Sequence, residues 1–375
     1  MKTKTFLNTY TVQFFYTFAQ IFVFSILFLY LFKTGFSNLE IAVFSTLRFA
    51  AAALVLIFLK NVKFRRTITL GIIFKSLYLA SFAYFIAGFE VLQLYATAII
   101  VGIVLFIFWV PYNIRFFSFG NKENNAFMGS IIFLLWPMLN VFLPAAAGFI
   151  ARDFGFRALF FSAAAINILA LVFVKRTGKD RLLHFDIKKA LKNTEGVRTL
   201  NMLEGIFEGI LWTAVPLATI SFITAEVDYG LFFSYLGLFG ALAAVVLARM
   251  SDKMKKRTIF IYPTVILLGI STILAAFSNT LILWAIANAA IAFIWALVAP
   301  FQVAVVLDKS KNLVDAMASR EFFMNLGRVM GGFAAIVSLI LFGLLEYSLV
   351  LAGITMFLYV HVLHTKKLYP KHIYR

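Results

Sequence analysis

The chain has 375 residues and a net charge of +18; 63% of its residues are hydrophobic, 17% aromatic and only 13% charged. A soluble domain has about a quarter of its residues charged, so this sequence lacks the polar surface to cover a water-soluble particle. That excludes a soluble enzyme, a disordered chain and a collagen-like one, and the lack of cysteine excludes disulfides and thiolate chemistry.

Apolar runs of about 20 residues, the length that crosses a bilayer, recur between short polar breaks. They predict first-half spans at 10–32, 39–59, 67–88, 92–112, 126–149 and 156–174. The second half follows with 199–222, 229–248, 258–277, 280–303, 317–342 and 346–364. The breaks carry turn residues, as in Lys33-Thr34-Gly35-Phe36-Ser37-Asn38. The first run is too long for a signal peptide and has no small-residue cleavage site, so it reads as a retained span. Pro137 and Pro144 predict bends in the fifth span and Pro216 in the seventh. Gly237 and Gly240 in the eighth span, and Gly327, Gly331 and Gly332 in the eleventh, predict close helix packing.

The fold class is therefore an all-α integral membrane protein of about twelve helices. It divides into a bundle at 1–174, a charged central loop at 175–198, and a second bundle at 199–375 with a short basic tail. Asp186 to Asn193 in the loop predicts an amphipathic helix lying on the membrane face. With both termini in the cytoplasm, 28 of the 34 basic residues fall inside and three outside. That asymmetry is the positive-inside rule, so the basic charge reads as orientation and contact with lipid, not as nucleic-acid binding.

The halves repeat. Lys63-Phe64-Arg65-Arg66-Thr67-Ile68 matches Met254-Lys255-Lys256-Arg257-Thr258-Ile259 at an offset of 191 residues. Pro111-Tyr112-Asn113 matches Pro300-Phe301-Gln302 at 189, each with a Trp shortly before, Trp109 and Trp295. Asn125-Ala126-Phe127-Met128-Gly129-Ser130 matches Asp315-Ala316-Met317-Ala318-Ser319-Arg320 at 190. Three matches at nearly one offset indicate a parallel duplication, one of the two symmetries of secondary transporters.

The most specific stretch is Ala248-Arg249-Met250-Ser251-Asp252-Lys253-Met254-Lys255-Lys256-Arg257. It resembles the G-x-x-x-D-R-x-G-R-R motif of the major facilitator superfamily, and nearly the whole chain looks like a transporter of that superfamily. Asp252 falls on the motif's acid, Lys253 on its first base, and Lys256 and Arg257 on its last two. The first-half copy has Asn61 in place of the acid. Gly155-Phe156-Arg157-Ala158-Leu159-Phe160 resembles the superfamily's G-W-R-x-x-F. The resemblance implies that Arg249, Asp252, Lys253, Lys256 and Arg257 form a cytoplasmic gate, with Asp252 at the N-terminus of helix 11.

Ionisable groups inside a membrane are costly and are functional candidates by default. Glu204 and Glu208 lie one turn apart on helix 7, on one face with Asn201 and Trp212. Glu321, Asn325 and Arg328 form a polar stripe on helix 11, and Arg48 sits near the middle of helix 2. Lys75 is expected to snorkel towards the cytoplasm. In the fold that the chain resembles, helices 1, 4, 7 and 10 line a central cavity. That assigns Gln20, Trp109, Asn113, Glu204, Glu208, Asn288 and Trp295 to the cavity, and Arg48 and Arg328 to its edge. The two arginines either bind an anionic substrate group or are paired internally.

The sequence has no P-loop, H-E-x-x-H, G-x-S-x-G or G-x-G-x-x-G motif, so it predicts no enzyme and no cofactor. The expected function is secondary active transport of a small organic solute, with protons coupled at Glu208 and Glu204 as its partner. The partners are then the solute, the proton and the bilayer of the cell membrane, with the protein a monomer. The rival readings are a lipid or lipophilic-drug exporter, and a non-transporting sensor or assembly protein of the same fold.

Overall fold

The computed structural model describes residues 2–58, 61–85, 88, 90–120, 125–180, 182–251, 257–310 and 312–366. The predicted spans appear as helices in chain order. The first is split into α1 (Lys2–Phe24) and α2 (Leu27–Lys33), followed by α3 (Asn38–Phe58), α4 (Phe64–Phe85) and α5 (Val91–Phe117). The fifth is split into α6 (Asn125–Asn140) and α7 (Leu143–Asp153), and α8 (Gly155–Val174) closes the first half. After a loop helix, α9 (Ile187–Asn193), come α10 (Arg198–Ile220), α11 (Glu226–Ser251), α12 (Arg257–Ala275), α13 (Leu281–Lys309), α14 (Leu313–Phe342) and α15 (Ser348–Thr365). Among the described residues, eleven stretches are long and apolar enough to cross a membrane. The apolar segment Ile261–Ala275 of α12 is shorter.

Local chemistry sets the helix starts. Ser37 and Glu40 form a reciprocal cap on α3: the Ser37 Oγ accepts from the Glu40 amide, and the Glu40 carboxylate accepts from the Ser37 amide. Asn312 caps α14 by accepting from the Val314 amide. That moves the start of the eleventh span back to Leu313 from the expected 317. The fifth span breaks between its two prolines, Pro137 inside α6 and Pro144 in the first turn of α7. Pro216 lies within an unbroken α10. The break at Ser25–Ile26 has no glycine or proline to announce it.

Glycines set how the helices meet. A Cβ on Gly205 would lie 2.2 Å from the Met324 carbonyl oxygen, and one on Gly209 2.3 Å from that of Arg328. Reciprocally, Gly327 and Gly331 meet the carbonyls of Met202 and Ile206, each at 2.2 Å. Two G-x-x-x-G stretches thus press α10 against α14 backbone to backbone. A second seam joins the halves. Gly148 meets the Glu226 carbonyl and Gly230 that of Pro144, while Gly237 meets Asn140, so α11 packs on α6 and α7. The halves also meet where α3 packs on α14, with Gly332 facing the Thr46 hydroxyl, and where α6 packs on α13.

The central loop departs from the expected solvated linker. Its residues Leu182–His184 (β2) pair antiparallel with Asn61–Lys63 (β1), with Asn61 opposite His184. Asn61, which replaces the acid in the first-half motif, also holds the His184 ring by a side-chain hydrogen bond. The Asp180 carboxylate accepts from the Arg65 amide at 2.8 Å. The predicted loop helix is present as α9, capped by Asp186, but it packs on α14 instead of floating on the membrane face. Asn193 donates to the Asp315 carboxylate at 2.6 Å, and the Thr194 and Ser319 hydroxyls share a hydrogen bond.

Candidate functional site

The close approach of α10 and α14 brings together the charges of the seventh and eleventh spans. The Arg320 guanidinium donates to the Glu204 carboxylate at 2.6 Å, with both side chains almost fully buried. Two turns further along α14, Arg328 donates through both Nε and a terminal nitrogen to one oxygen of Glu208, at 2.8 and 2.6 Å. A third carboxylate, Glu321, lies 3.6 Å from Arg320 and accepts from the Asn113 amide at 3.3 Å. Asn113 is on α5 of the first half, so this bond crosses between the halves. Asn325 ties the stripe together along α14: its amide donates to the Glu321 carbonyl, and its oxygen accepts from Arg328 at 2.9 Å.

The expected eleventh span, 317–342, contains Arg320, while the charge count places it with the cytoplasmic basic residues. It is a buried ion-pair partner about two turns into α14, the helix that Asn312 caps. The signal was present in the cap and in Arg320 and Arg328 lying eight residues apart, on one face of a helix.

Aromatic rings extend the cluster towards the first half. The Arg328 guanidinium lies 4.6 Å from the Trp212 ring centre and 5.7 Å from Phe49. Trp212 in turn contacts Phe49 and Trp295, with ring centres 5.9 and 6.2 Å apart. Arg48 lies on the other side of this group, 4.6 Å from Phe49. One residue triplet earlier on α3, the Ser45 hydroxyl shares a 2.9 Å hydrogen bond with Thr213 of α10.

The remaining cavity candidates divide. Gln20 and Trp109 belong to a separate cluster within the first half. Gln20 accepts from the Lys75 ammonium at 2.8 Å, and Trp109 packs edge-on against Tyr16. Lys75 also donates to the Tyr16 carbonyl and is wholly buried, so it does not snorkel. Asn288 donates back to the Trp284 carbonyl of its own helix. Of the gating motif, Asp252, Lys253 and Lys256 lie outside the described residues, and only the backbone of Arg249 and Arg257 is described.

No family model and no curated protein matches the sequence. Solved structures do. The human organic anion transporter MFSD10 (TETRAN) matches with a TM-score of 0.69, covering 96% of this chain and 99% of that one. A POT family transporter in complex with a thioalcohol-conjugated peptide matches with a TM-score of 0.71, covering 96% and 95%. The chain has the major facilitator fold. Sequence identities of 14% and 12% make this a likeness of fold. Within the major facilitator fold of this chain, the charge cluster sits on α10 and α14, beside the seam at which α3 meets both.

Proposed function

We propose that the chain is a secondary active transporter that moves a small organic solute across the cell membrane by alternating access, coupled to protons. Residues 1–174 and 199–375 rock as two bundles about the central loop, with both termini in the cytoplasm and the monomer as the working unit. The observation that carries this reading is the pair of enclosed salt bridges, Glu204–Arg320 and Glu208–Arg328, between α10 and α14 and beside the seam with α3.

Buried ion pairs are poor stabilisers: hydrophobic residues of similar volume often do as well or better. A static scaffold has no use for two of them stacked inside a membrane. A transporter does, since the cluster holds three carboxylates against two guanidiniums and so has a place for a proton. Protons bound by such a cluster belong to the group as a whole. Glu208 is the best-placed acceptor. Protonating it weakens its hold on Arg328, which faces Trp212 and Phe49 at the seam. The released guanidinium is then available to substrate or to another carboxylate, and the halves are free to change their contacts.

The test is proton movement in proteoliposomes carrying an internal pH dye, against a panel of sugars, amino acids, organic anions and lipophilic cations. Substrate-triggered acidification by the wild type, lost in Glu208→Gln, is expected. Acidification that survives in Glu208→Gln refutes Glu208 as the coupling site.

A further inference from the structure

We propose that Arg48, with the Tyr78 hydroxyl beside it, binds the anionic group of the transported solute, and that this solute is an organic anion with an apolar body. The proposal rests on the transport reading above and names its substrate class.

Among the described membrane-spanning helices Arg48, Lys75 and Arg320 are buried and Arg328 is partly buried beside them, and what separates Arg48 from the other three is the lack of a close oxygen partner. Arg320 and Arg328 each hold a carboxylate. Lys75 is held by two neutral oxygens, Tyr16 O and Gln20 Oε1, each at 2.8 Å, with the Tyr16 ring centre 3.6 Å away. Arg48 differs. It is 5% exposed, and no carboxylate among the described residues forms an ion pair with it. Among the described residues its one hydrogen bond is a long one, 3.4 Å to the Ser45 hydroxyl, and its Nε has no acceptor. A guanidinium presents five N–H donors in a fork that matches a carboxylate or phosphate. Leaving a buried guanidinium with one long hydrogen bond and a dry Nε carries a penalty that an arriving anion removes.

The surroundings point the same way. The buried Tyr78 hydroxyl has no acceptor and lies close enough to Arg48 to interact with it electrostatically. Arg48 and Arg328 also feel each other's positive charge, with Phe49 against both. Arg328 has its charge met by Glu208, so among the described residues Arg48 is left without a carboxylate of its own. The walls around it are aromatic: the Phe24, Phe28 and Phe49 ring centres lie 5.2, 5.9 and 4.6 Å from the Arg48 guanidinium. These rings suit an apolar body attached to the charged group. The position suits transport as well, because Ser45, one turn away on α3, bonds across the seam to Thr213.

The experiment uses the full chain, purified in a neutral detergent, and reads thermal unfolding against benzoate, phenyl phosphate and benzenesulfonate. Benzamide and benzylamine are the neutral and cationic controls, and phosphatidylglycerol is the lipid control. At least one aryl anion should raise the midpoint in a saturable way while the controls do not. Arg48→Gln should weaken that anion's apparent affinity about tenfold or more, the loss of a charge-assisted contact. Arg48→Lys should retain part of the affinity, and Tyr78→Phe, which removes one hydroxyl, should weaken it a few-fold. Stabilisation by none of the three anions overturns the proposal, as does stabilisation by the controls alone or by anions equally in Arg48→Gln. Uptake in proteoliposomes separates the two readings. Anion binding without uptake sinks transport and leaves the site standing, whereas uptake of neutral solutes with no anion binding does the reverse.

Discussion

At the scale of single residues, the two salt bridges are not equivalent. Glu204–Arg320 is almost fully enclosed, while Arg328 keeps 12% of its side chain exposed beside Trp212. Removing one member of an enclosed pair strands a charge, at a cost of about 3–5 kcal/mol. Arg320→Met should therefore lower the thermal midpoint of the purified protein steeply. The double variant Glu204→Leu/Arg320→Met should recover part of the loss, because it removes the closest pair and leaves only Glu321 without its more distant contact to Arg320. If the double variant unfolds as readily as the single one, the pair is not the reason for the loss. Transport, read in the pH-dye assay, should stay impaired in the rescued double variant. Full activity there would reduce the pair to packing.

At the scale of elements, the α10–α14 seam decides where these charges stand. The Gly209 position faces the Arg328 carbonyl directly, so Gly209→Val has to push the two backbones apart. A destabilisation of about 3 kcal/mol or more is expected, at the upper end of overpacking costs. Gly240→Ala is the contrast: its new Cβ would meet a side-chain carbon of Pro137 at 3.1 Å, and about 1 kcal/mol or less is expected. Equal losses in the two variants by thermal unfolding would contradict the seam. This part of the architecture was only half visible in the sequence. The spans were legible because a bilayer demands long apolar runs, and the fifth-span bend was legible because proline breaks the hydrogen-bond ladder. The Gly205-x-x-x-Gly209 stretch was open to the same reading as Gly327 and Gly331, but it attracts notice only once its partner helix is known. The break at Ser25–Ile26 and the three-residue strands had no local signal, since both are imposed by tertiary contacts. Arg320 lies in the first turn of the expected span, where the charge asymmetry alone assigns it to the cytoplasm; its pairing shows only once Glu204 is placed opposite it.

The central loop belongs to the same scale. It is fastened to the first half through β1–β2 and the Asp180–Arg65 contact, and to the second through α9 on α14. Thr194→Val removes the hydroxyl shared with Ser319, and Asn193→Ala removes the donor to Asp315. Together they should make the segment after Asp186 more susceptible to limited proteolysis, with little change in the midpoint of the bundles. Unchanged cleavage would show that apolar packing of α9 alone holds it in place.

At the scale of the whole molecule, the halves are latched at both faces. On the face away from the central loop, Lys33 at the end of α2 pairs with Glu226 at the start of α11. On the opposite face, Asn113 of α5 donates to Glu321 of α14. Alternating access requires each latch to open in turn, and their environments set their strengths. The Lys33–Glu226 side chains are 33% and 21% exposed, so water screens the pair and about 1 kcal/mol or less is at stake. The Asn113–Glu321 bond is buried, so breaking it strands a buried polar group at a cost of about 1–3 kcal/mol. Glu226→Gln should thus shift the conformational balance by a factor of about five at most, and Asn113→Leu by about five or more, in the opposite direction. The lack of cysteine makes this directly measurable. Spin labels at Leu39→Cys and Ala225→Cys report one face, and labels at Ser118→Cys and Leu313→Cys the other. Glu226→Gln should lengthen the first distance in a minor population, and Asn113→Leu should lengthen the second in a major one. If both variants lengthen the same distance, or neither does, the two contacts are not opposing latches, and control of access has to be sought elsewhere along the α11–α7 and α3–α14 seams.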